Sequence, residues 1–328
     1  MKGFIQMSAA ADFLGTGAIE VPEFEAEIMD VVRRTSVFLN RTPQIPATGH
    51  PHRYFEQTDI ARGGFTDPRN ISASVATPTR VERPAFIKAI VNQSNLSLFD
   101  KEVTEQQNQF ASVVAKDIND IISGIEVVRA AAVWAGTDTS MTTPTTTQYM
   151  GGLRQITQQA VIAPGSSIID GLKAVIATMA ANQTFVVRPT AIYINPILGD
   201  YIDREAKAAK ISLDSMDVMA GVTVSSLSTQ VGKVPLIGDP WMPTEANPTN
   251  SYGFGAAGAG YKNYFAVITQ ESEIEMPYIS GATQNPLPRL FQLGLVGSLA
   301  GQYVGVKFDT VVFKGPSYAH AAVAVQRP

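Results

Sequence analysis

No cysteine occurs anywhere in the 328 residues, which removes disulfide staples, thiolate metal ligands and cysteine nucleophiles together. Charge is sparse as well. Asp, Glu, Lys and Arg make up 16% of the chain and sum to a net −4, without the basic footprint of a sequence-reading DNA binder, so any contact with nucleic acid is expected to be weak and local. No apolar run approaches the ~20 residues that a bilayer-spanning helix needs, and no membrane partner is expected. The opening MKGFIQMSAAADFLG carries one lysine, and Gln6 and Ser8 interrupt any hydrophobic stretch. It reads as a loosely ordered arm rather than a signal peptide. What is present is an ordinary globular share of apolar residues, 45%. A chain of this length can bury a substantial core in one large domain or two to three smaller ones.

The texture changes along the chain. Residues 1–20 are rich in Ala, Gly and Ser and lack periodicity. From Val21 to Asn40 a helix is expected, with Pro22 at a first helical position and Phe24, Ile28, Val31, Val32 and Val37 near helical spacing. Residues 41–90 hold six arginines (41, 53, 62, 69, 80, 83), six prolines and the Gly63-Gly64 pair. With Ile71, Ala73 and Val75 alternating beyond that turn, this segment reads as a long two-stranded hairpin with little core of its own. Asp100 then caps the clearest helix, over 100–135. Its stripe runs through Val103, Phe110, Val114, Ile118, Ile121, Ile125, Val128 and Ala132 to a stop at Gly136. This is about three times the usual helix length. Coiled-coil pairing is disfavoured by Gly124 and by weak e/g charge patterning.

A Thr-rich connector (137–147) follows, too poor in apolar groups to pack. A second helix is capped by Ser166 or Ser167. The strand-like run TFVVRPTAIYIN ends in Asn195-Pro196, a cap with proline at the first helical position, and the next helix carries Ile197, Tyr201 and Ala206. Helix, strand, helix and the strand-like VPLIGDPWMP form a compact α/β unit. A flexible loop spans 247–260, and Tyr264 to Lys314 is mainly strand.

Several sites need weighing. GFGAAG (Gly253 to Gly258) matches the dinucleotide fingerprint in letters, but a polar loop precedes it and a strand follows, so it reads as a mobile loop. His50 and His52 are two apart and could face one metal on a strand, yet nearby carboxylates to complete a site are lacking; with His320 they make up all the histidine of the chain. No GxSxG elbow accompanies them. Glu271, Glu273 and Glu275 alternate as on a solvated strand face. No catalytic, cofactor-binding or metal residue is assigned, and no cofactor is expected. The hairpin differs. It holds seven basic residues, counting Lys88, against Glu56, Asp59, Asp67 and Glu82, a balance of +3. A coreless hairpin cannot stabilise itself in water and needs a partner surface, where its arginines would meet carboxylates.

In order and spacing, the elements resemble the major capsid proteins of tailed bacteriophages, the fold named after phage Hong Kong ninety-seven. The local pieces carrying the resemblance are the strand ending in the Asn-Pro cap (Ala191 to Pro196), then Val234-Pro235-Leu236-Ile237-Gly238-Asp239-Pro240 with Met242-Pro243. The Gly-rich loop and Tyr264-Phe265-Ala266-Val267 follow. The resemblance implies an α+β fold: an N-terminal arm and short helix (1–40), an E-loop (41–90), a peripheral domain (91–136 with 262–328) built on a spine helix, and an axial α/β domain (137–261). It implies a structural subunit, not an enzyme, that assembles with itself in pentamers and hexamers into an icosahedral head around double-stranded DNA. The location would be the virion capsid, assembled in the host bacterial cytoplasm. A portal, a separate scaffolding protein and a decoration protein are the further partners implied. Arg53, Arg62, Phe65, Asp67, Arg69, Arg80 and Arg83 are the candidate inter-subunit contacts, and Lys88 with Asn285 a candidate isopeptide pair. Two alternatives stay open: an encapsulin-type compartment around protein cargo, and a β-rich adhesion or binding protein.

Overall fold

The computed structural model of the chain describes residues 36–69, 77–97, 99, 102, 113–211, 213–219, 222–281, 284–296 and 300–328. The arm, most of the helix expected over 21–40, nearly all of the long helix before 113, and Ile71, Ala73 and Val75 lie outside the described residues. A short helix, α1 (Val37–Arg41), buries Phe38 and Leu39. After it come β1 (Gln44–Pro46), β2 (His52–Asp59), β3 (Thr79–Ala85) and β4 (Lys88–Ser97). Strands β2 and β3 pair antiparallel as the expected hairpin, from His52 opposite Ala85 to Asp59 opposite Thr79.

The long helix α2 (Val113–Ala135) stops at Gly136, whose N–H donates to the Ala132 carbonyl at 2.9 Å. Only glycine fits there, because a Cβ would lie 2.4 Å from the Tyr149 carbonyl. Ile121, Ile125, Ala130, Val133 and Trp134 are buried, but Val128 faces solvent. The inward row steps by four through Arg129 rather than through Val128, a correction to the expected stripe with consequences below.

The middle of the chain holds α3 (Gly152–Gln155), β5 (Gln159–Ile162), α4 (Ile168–Ala180), β6 (Ala191–Ile194), α5 (Pro196–Ala208), β7 (Asp214–Met219), β8 (Val222–Thr229), β9 (Gly232–Gly238) and β10 (Thr244–Ala246). Ser167 caps α4, its hydroxyl accepting from Asp170 N at 3.1 Å. Asn195 caps α5: its Oδ1 accepts from Ile197 N at 3.0 Å and its Nδ2 donates to the buried Met242 carbonyl at 2.7 Å. Asn195→Ala removes both bonds at once and is expected to cost about 2 kcal/mol in urea unfolding, while Asn195→Ser keeps a cap acceptor and loses less. The inward face of α5 is Leu198, Ile202 and Ala206; Ile197 is exposed, one position out of phase with the expected stripe.

The late chain supplies β11 (Lys262–Thr269), β12 (Ile274–Ile279), β13 (Arg289–Val296), β14 (Ala300–Asp309), β15 (Val312–Phe313) and β16 (His320–Arg327). Two sheets sort these strands. An eight-stranded mixed sheet runs β5-β16-β11-β6-β9-β8-β7, with β10 beside β11. Helices α4 and α5 pack on it through Leu172, Ile176, Leu198 and Ile202 against Ile192, Ala266, Ile268 and Val323. A six-stranded sheet runs β1-β12-β14-β13, with β15 on β12 and β4 on β14. The domain boundary expected at 262 therefore does not follow the sheets. β11 and β16 sit at the centre of the α/β sheet, because β11 pairs with β6 on one side and with β16 on the other. Only β12 to β15 join the sheet beside the long helix. Where the two parts meet, Phe38, Trp134, Tyr193 and Phe313 pack ring on ring at centroid distances of 4.6 to 6.1 Å. The buried Asp239 carboxylate accepts from Trp134 Nε1 at 3.0 Å and Ser36 Oγ at 3.1 Å, tying α1 and α2 to the end of β9.

Candidate assembly surface

The pleat gives the β2–β3 hairpin two unlike faces. One face carries Tyr54, Glu56, Arg83 and Ala85 and lies on the body of the chain. Glu56 and Ala85 are buried, and burial, with Glu56 next, pushes the Tyr54 hydroxyl up to about 12. Arg83 and Glu56 are ion-paired across the strands. Nearby, Glu275 on β12 takes Lys314 at 2.5 Å and approaches His52 at 3.3 Å, fixing the root of the hairpin. The opposite face carries Arg53, Phe55, Gln57, Arg80 and Glu82 and stands in solvent. Phe55 is 75% exposed on it, an apolar residue that alternation alone did not single out. Arg53 holds Glu82 at 2.8 Å, an exposed pair of small energetic worth.

Beyond the ladder every residue from Ile60 to Arg69 is exposed, and Phe65 is fully so. Asp67 Oδ1 accepts from Arg69 N at 2.9 Å and shapes the local turn. Arg62 reaches Thr184 Oγ1 on the α/β unit at 2.8 Å. Phe55, Phe65, Arg62, Arg69 and Arg80 thus stand outward, while Arg53 and Arg83 have carboxylate partners inside the hairpin. Arg41 belongs elsewhere. It grips Glu271 with two bonds of 2.6 and 2.7 Å and donates to the Val218 carbonyl at 2.9 Å.

That contact revises the expected acidic strand face. Glu271 to Glu273 form a single 3-10 turn, and only Glu275 lies on β12. Burial alone would raise the Glu271 carboxyl, but bonds from Arg41 and Tyr193 hold it below its ordinary value. The 253–258 loop also packs: Phe254 is buried against Phe265 at 5.2 Å between centroids, so the glycine string is a fitted loop.

Lys88 is engaged within its own chain. Its ammonium lies 2.7 Å from Asp138 Oδ2 and 2.5 Å from the Thr146 carbonyl. Asp138 Oδ1 accepts from Thr139 N, Thr145 N and Thr145 Oγ1 at 2.8 to 3.0 Å. Burial opposes ionisation of Asp138, but Lys88 and these donors outweigh it and hold the carboxyl far below the usual range. The Thr-rich connector, expected to be loose for want of apolar groups, is wound around one buried anion instead. Asn285 uses its Oδ1 on Leu287 N at 3.0 Å.

Under α2 lies a charged cluster that the sequence reading missed. Arg129 Nε stands 2.7 Å from Asp309 Oδ2, a charge contact whose N–H is not aligned for a hydrogen bond. Arg129 also meets Glu126 at 3.0 Å, and Lys307 lies 3.4 Å from Glu126 and 3.9 Å from Asp309. Tyr149 donates its hydroxyl to Asp309. Burial pushes Asp309 up against the pull of Arg129 and Lys307, and burial together with the Arg129 charge pushes Lys307 down against the pull of Asp309 and Glu126.

No family model and no curated protein matches the sequence. Solved structures do match, over nearly the whole chain. The capsid of the native GTA particle aligns at 12% identity and a TM-score of 0.65, covering 98% of this chain and 99% of that one. The head of Helicobacter pylori bacteriophage KHP40 aligns at 9% identity and 0.65, covering 99% and 98%. The holo-SrpI encapsulin complex of Synechococcus elongatus PCC 7942 aligns at 11% and 0.59, covering 98% and 96%. The fold is therefore the tailed-phage major capsid fold, shared with encapsulin shells.

Proposed function

We propose that the chain is the major capsid protein of a tailed bacteriophage, a structural subunit whose copies close into an icosahedral head around double-stranded DNA. The single observation carrying this reading is the end-to-end match, in both directions, to capsid and head proteins. The exposed hairpin face supports it. Closed shells need heterologous contacts, in which a protruding surface on one copy meets a different surface on the next. Phe55 and Phe65, with Arg62, Arg69 and Arg80, are such a protruding set. On this reading the work of the chain is geometry and not chemistry, its location is the virion, and portal, scaffolding and decoration proteins are its further partners. The SrpI match keeps an encapsulin-type compartment as the second reading.

The test is to express the chain, alone and with the proteins encoded beside it, and to size the product by light scattering and electron microscopy. Closed particles tens of nanometres across that protect DNA from nuclease are expected. Particles filled with one co-purifying protein would favour the compartment, and a persistent monomer under both conditions would overturn the shell.

A further inference from the structure

Glu245 on β10 and Asn263 on β11 stand directly opposite each other in an antiparallel ladder. Residues so paired share one face, with their Cβ atoms about 5 Å apart. Both are buried, Glu245 at 4% exposure and Asn263 at 0%. The 247–260 loop closes over them. Ser251 N donates to Glu245 Oε1, and Asn263 Nδ2 donates to the Gly255 carbonyl at 3.0 Å. Gly253 and Gly255, at φ of 86° and 90°, let the loop double back there. Each side chain thus spends one atom on the loop, and the other atom, Glu245 Oε2 or Asn263 Oδ1, accepts from no protein donor. Two buried acceptors under one loop, one of them on a carboxylate, are costly unless something positive joins them. Turning the amide over gives no relief, because its oxygen would then meet the Gly255 carbonyl. Arg154 does not neutralise Glu245 by contact. Its guanidinium lies over the Tyr252 ring, 5.2 Å from the centroid, and its buried Nε bonds to nothing.

We propose that Glu245 Oε2 and Asn263 Oδ1 are ligands of a calcium-sized cation, which pins the 247–260 loop to the β10–β11 ladder. The donor set is oxygen alone, a carboxylate and a carboxamide, which suits a hard cation and no softer one. The loop adds backbone oxygens on the same side. The Gly255 and Ala257 carbonyls accept from Asn263 Nδ2 and Asn247 Nδ2, and each keeps a second lone pair. Calcium tolerates such an irregular set, whereas magnesium demands a near-ideal octahedron and holds its water. Among the described residues no three His, Asp or Glu side chains come together, so this is a site with one carboxylate. Its affinity belongs at the weak end of calcium sites, with a dissociation constant on the order of 10⁻⁴–10⁻³ M. The ladder and loop carry this site by themselves, independently of the shell reading.

The test is hydrogen exchange on the full chain, stripped with EDTA and then supplied with calcium chloride. A local readout is needed because exposed carboxylates elsewhere also attract calcium. At about 10 mM calcium the Ser251 and Gly255 amides are expected to exchange about tenfold more slowly, with magnesium at the same concentration doing much less. Glu245→Gln keeps the shape and removes the charge. It should lose the calcium effect while the β11 amides exchange as in the wild type, which shows that the sheet has formed. Asn263→Asp should act in the opposite direction. Its second carboxylate opposes the first, so the loop should exchange faster in EDTA, and calcium should restore it at about tenfold lower concentration than the wild type needs. Exchange that ignores calcium in the wild type would mean that a proton or a water joins the two oxygens, and would overturn the proposal. Equal protection in Glu245→Gln, or magnesium acting as well as calcium, would overturn it too.

Discussion

Asp309→Asn is expected to remove about 3–5 kcal/mol from the stability of the chain at neutral pH, read from the urea midpoint at unchanged slope. The side chain is fully buried on β14, and Arg129 and Lys307 beside it are nearly so. With Asp309 ionised, the cluster holds two cations and two carboxylates; without it, Glu126 alone faces both cations, and Glu126 is one-third exposed. An uncompensated charge is then left where water cannot reach it, and the amide, though of the same shape, supplies no compensating charge. Since a domain has only about 5–15 kcal/mol in total, such a variant should be near unfolding at 37 °C. Replacing the buried set together, as Arg129→Met, Lys307→Met, Asp309→Leu and Tyr149→Phe, should recover most of the loss, because the one charge left, Glu126, is one-third exposed and stays hydrated. A loss below about 1 kcal/mol for Asp309→Asn would mean that water enters the cluster, and the buried-charge account would fail.

The same cluster shows where sequence reading stops. In YVGVKFDTVVF, period-two alternation sends Val304, Val306 and Phe308 inward and Lys307 and Asp309 out. The structure inverts this. Lys307 and Asp309 point under α2, and Phe308 stands 40% exposed on the outer face with Val91 and Phe291. Alternation reports which residues share a face, not which face is covered, and a one-residue choice of side flips the whole set. Arg129 was the available signal, a cation four residues after Ile125 in an otherwise apolar row, whose burial required an acid opposite. The strand β16 was missed for another reason. HAAVAV has no alternation because both faces of a central strand are buried, and its small residues resemble a loop in composition. The Asn195-Pro196 cap, the Gly136 stop and the hairpin were legible because each depends on local backbone chemistry that a few residues determine. Of the candidate contacts, Phe65, Arg62 and Arg69 were legible as exposed residues of the tip. Phe55 was not, since its exposure depends on which hairpin face meets the body. The partners of Arg53 and Arg83 also depended on strand register, which fixes Arg53 opposite Pro84 and Arg83 opposite Tyr54.

Acidification should weaken the fold through His320. The ring is fully buried at the start of β16, edge-on to Phe313 at 5.3 Å between centroids. Burial lowers its pKa from 6.5 to about 4, against a smaller opposing effect of the backbone at Glu273 and Lys314. Unfolded, the imidazole takes a proton below about 6.5; folded, it does so only below about 4. Between those values the unfolded state binds more protons, so stability rises with pH there and is lost as pH falls from 6.5 toward 4. At 1.36 kcal/mol per unit the loss sums to about 3 kcal/mol. Other groups titrate nearby, Asp309 and Asp239 raised by burial and Glu271 lowered by its partners, so the wild-type profile alone does not isolate the ring. The difference between wild type and His320→Leu does, because every other group is common to both. Urea unfolding of the two chains at pH 7.5, 6, 5 and 4 should show the variant offset by a constant at high pH and gaining on the wild type at each step down. Parallel profiles would mean that the buried ring takes up its proton without cost, through a partner or water that neutralises the effect of burial. In a shell, subunits that lose this much stability below pH 5 would rely on contacts between copies to remain folded. Assembled particles should therefore tolerate acid better than the free chain, by a margin that His320→Leu narrows.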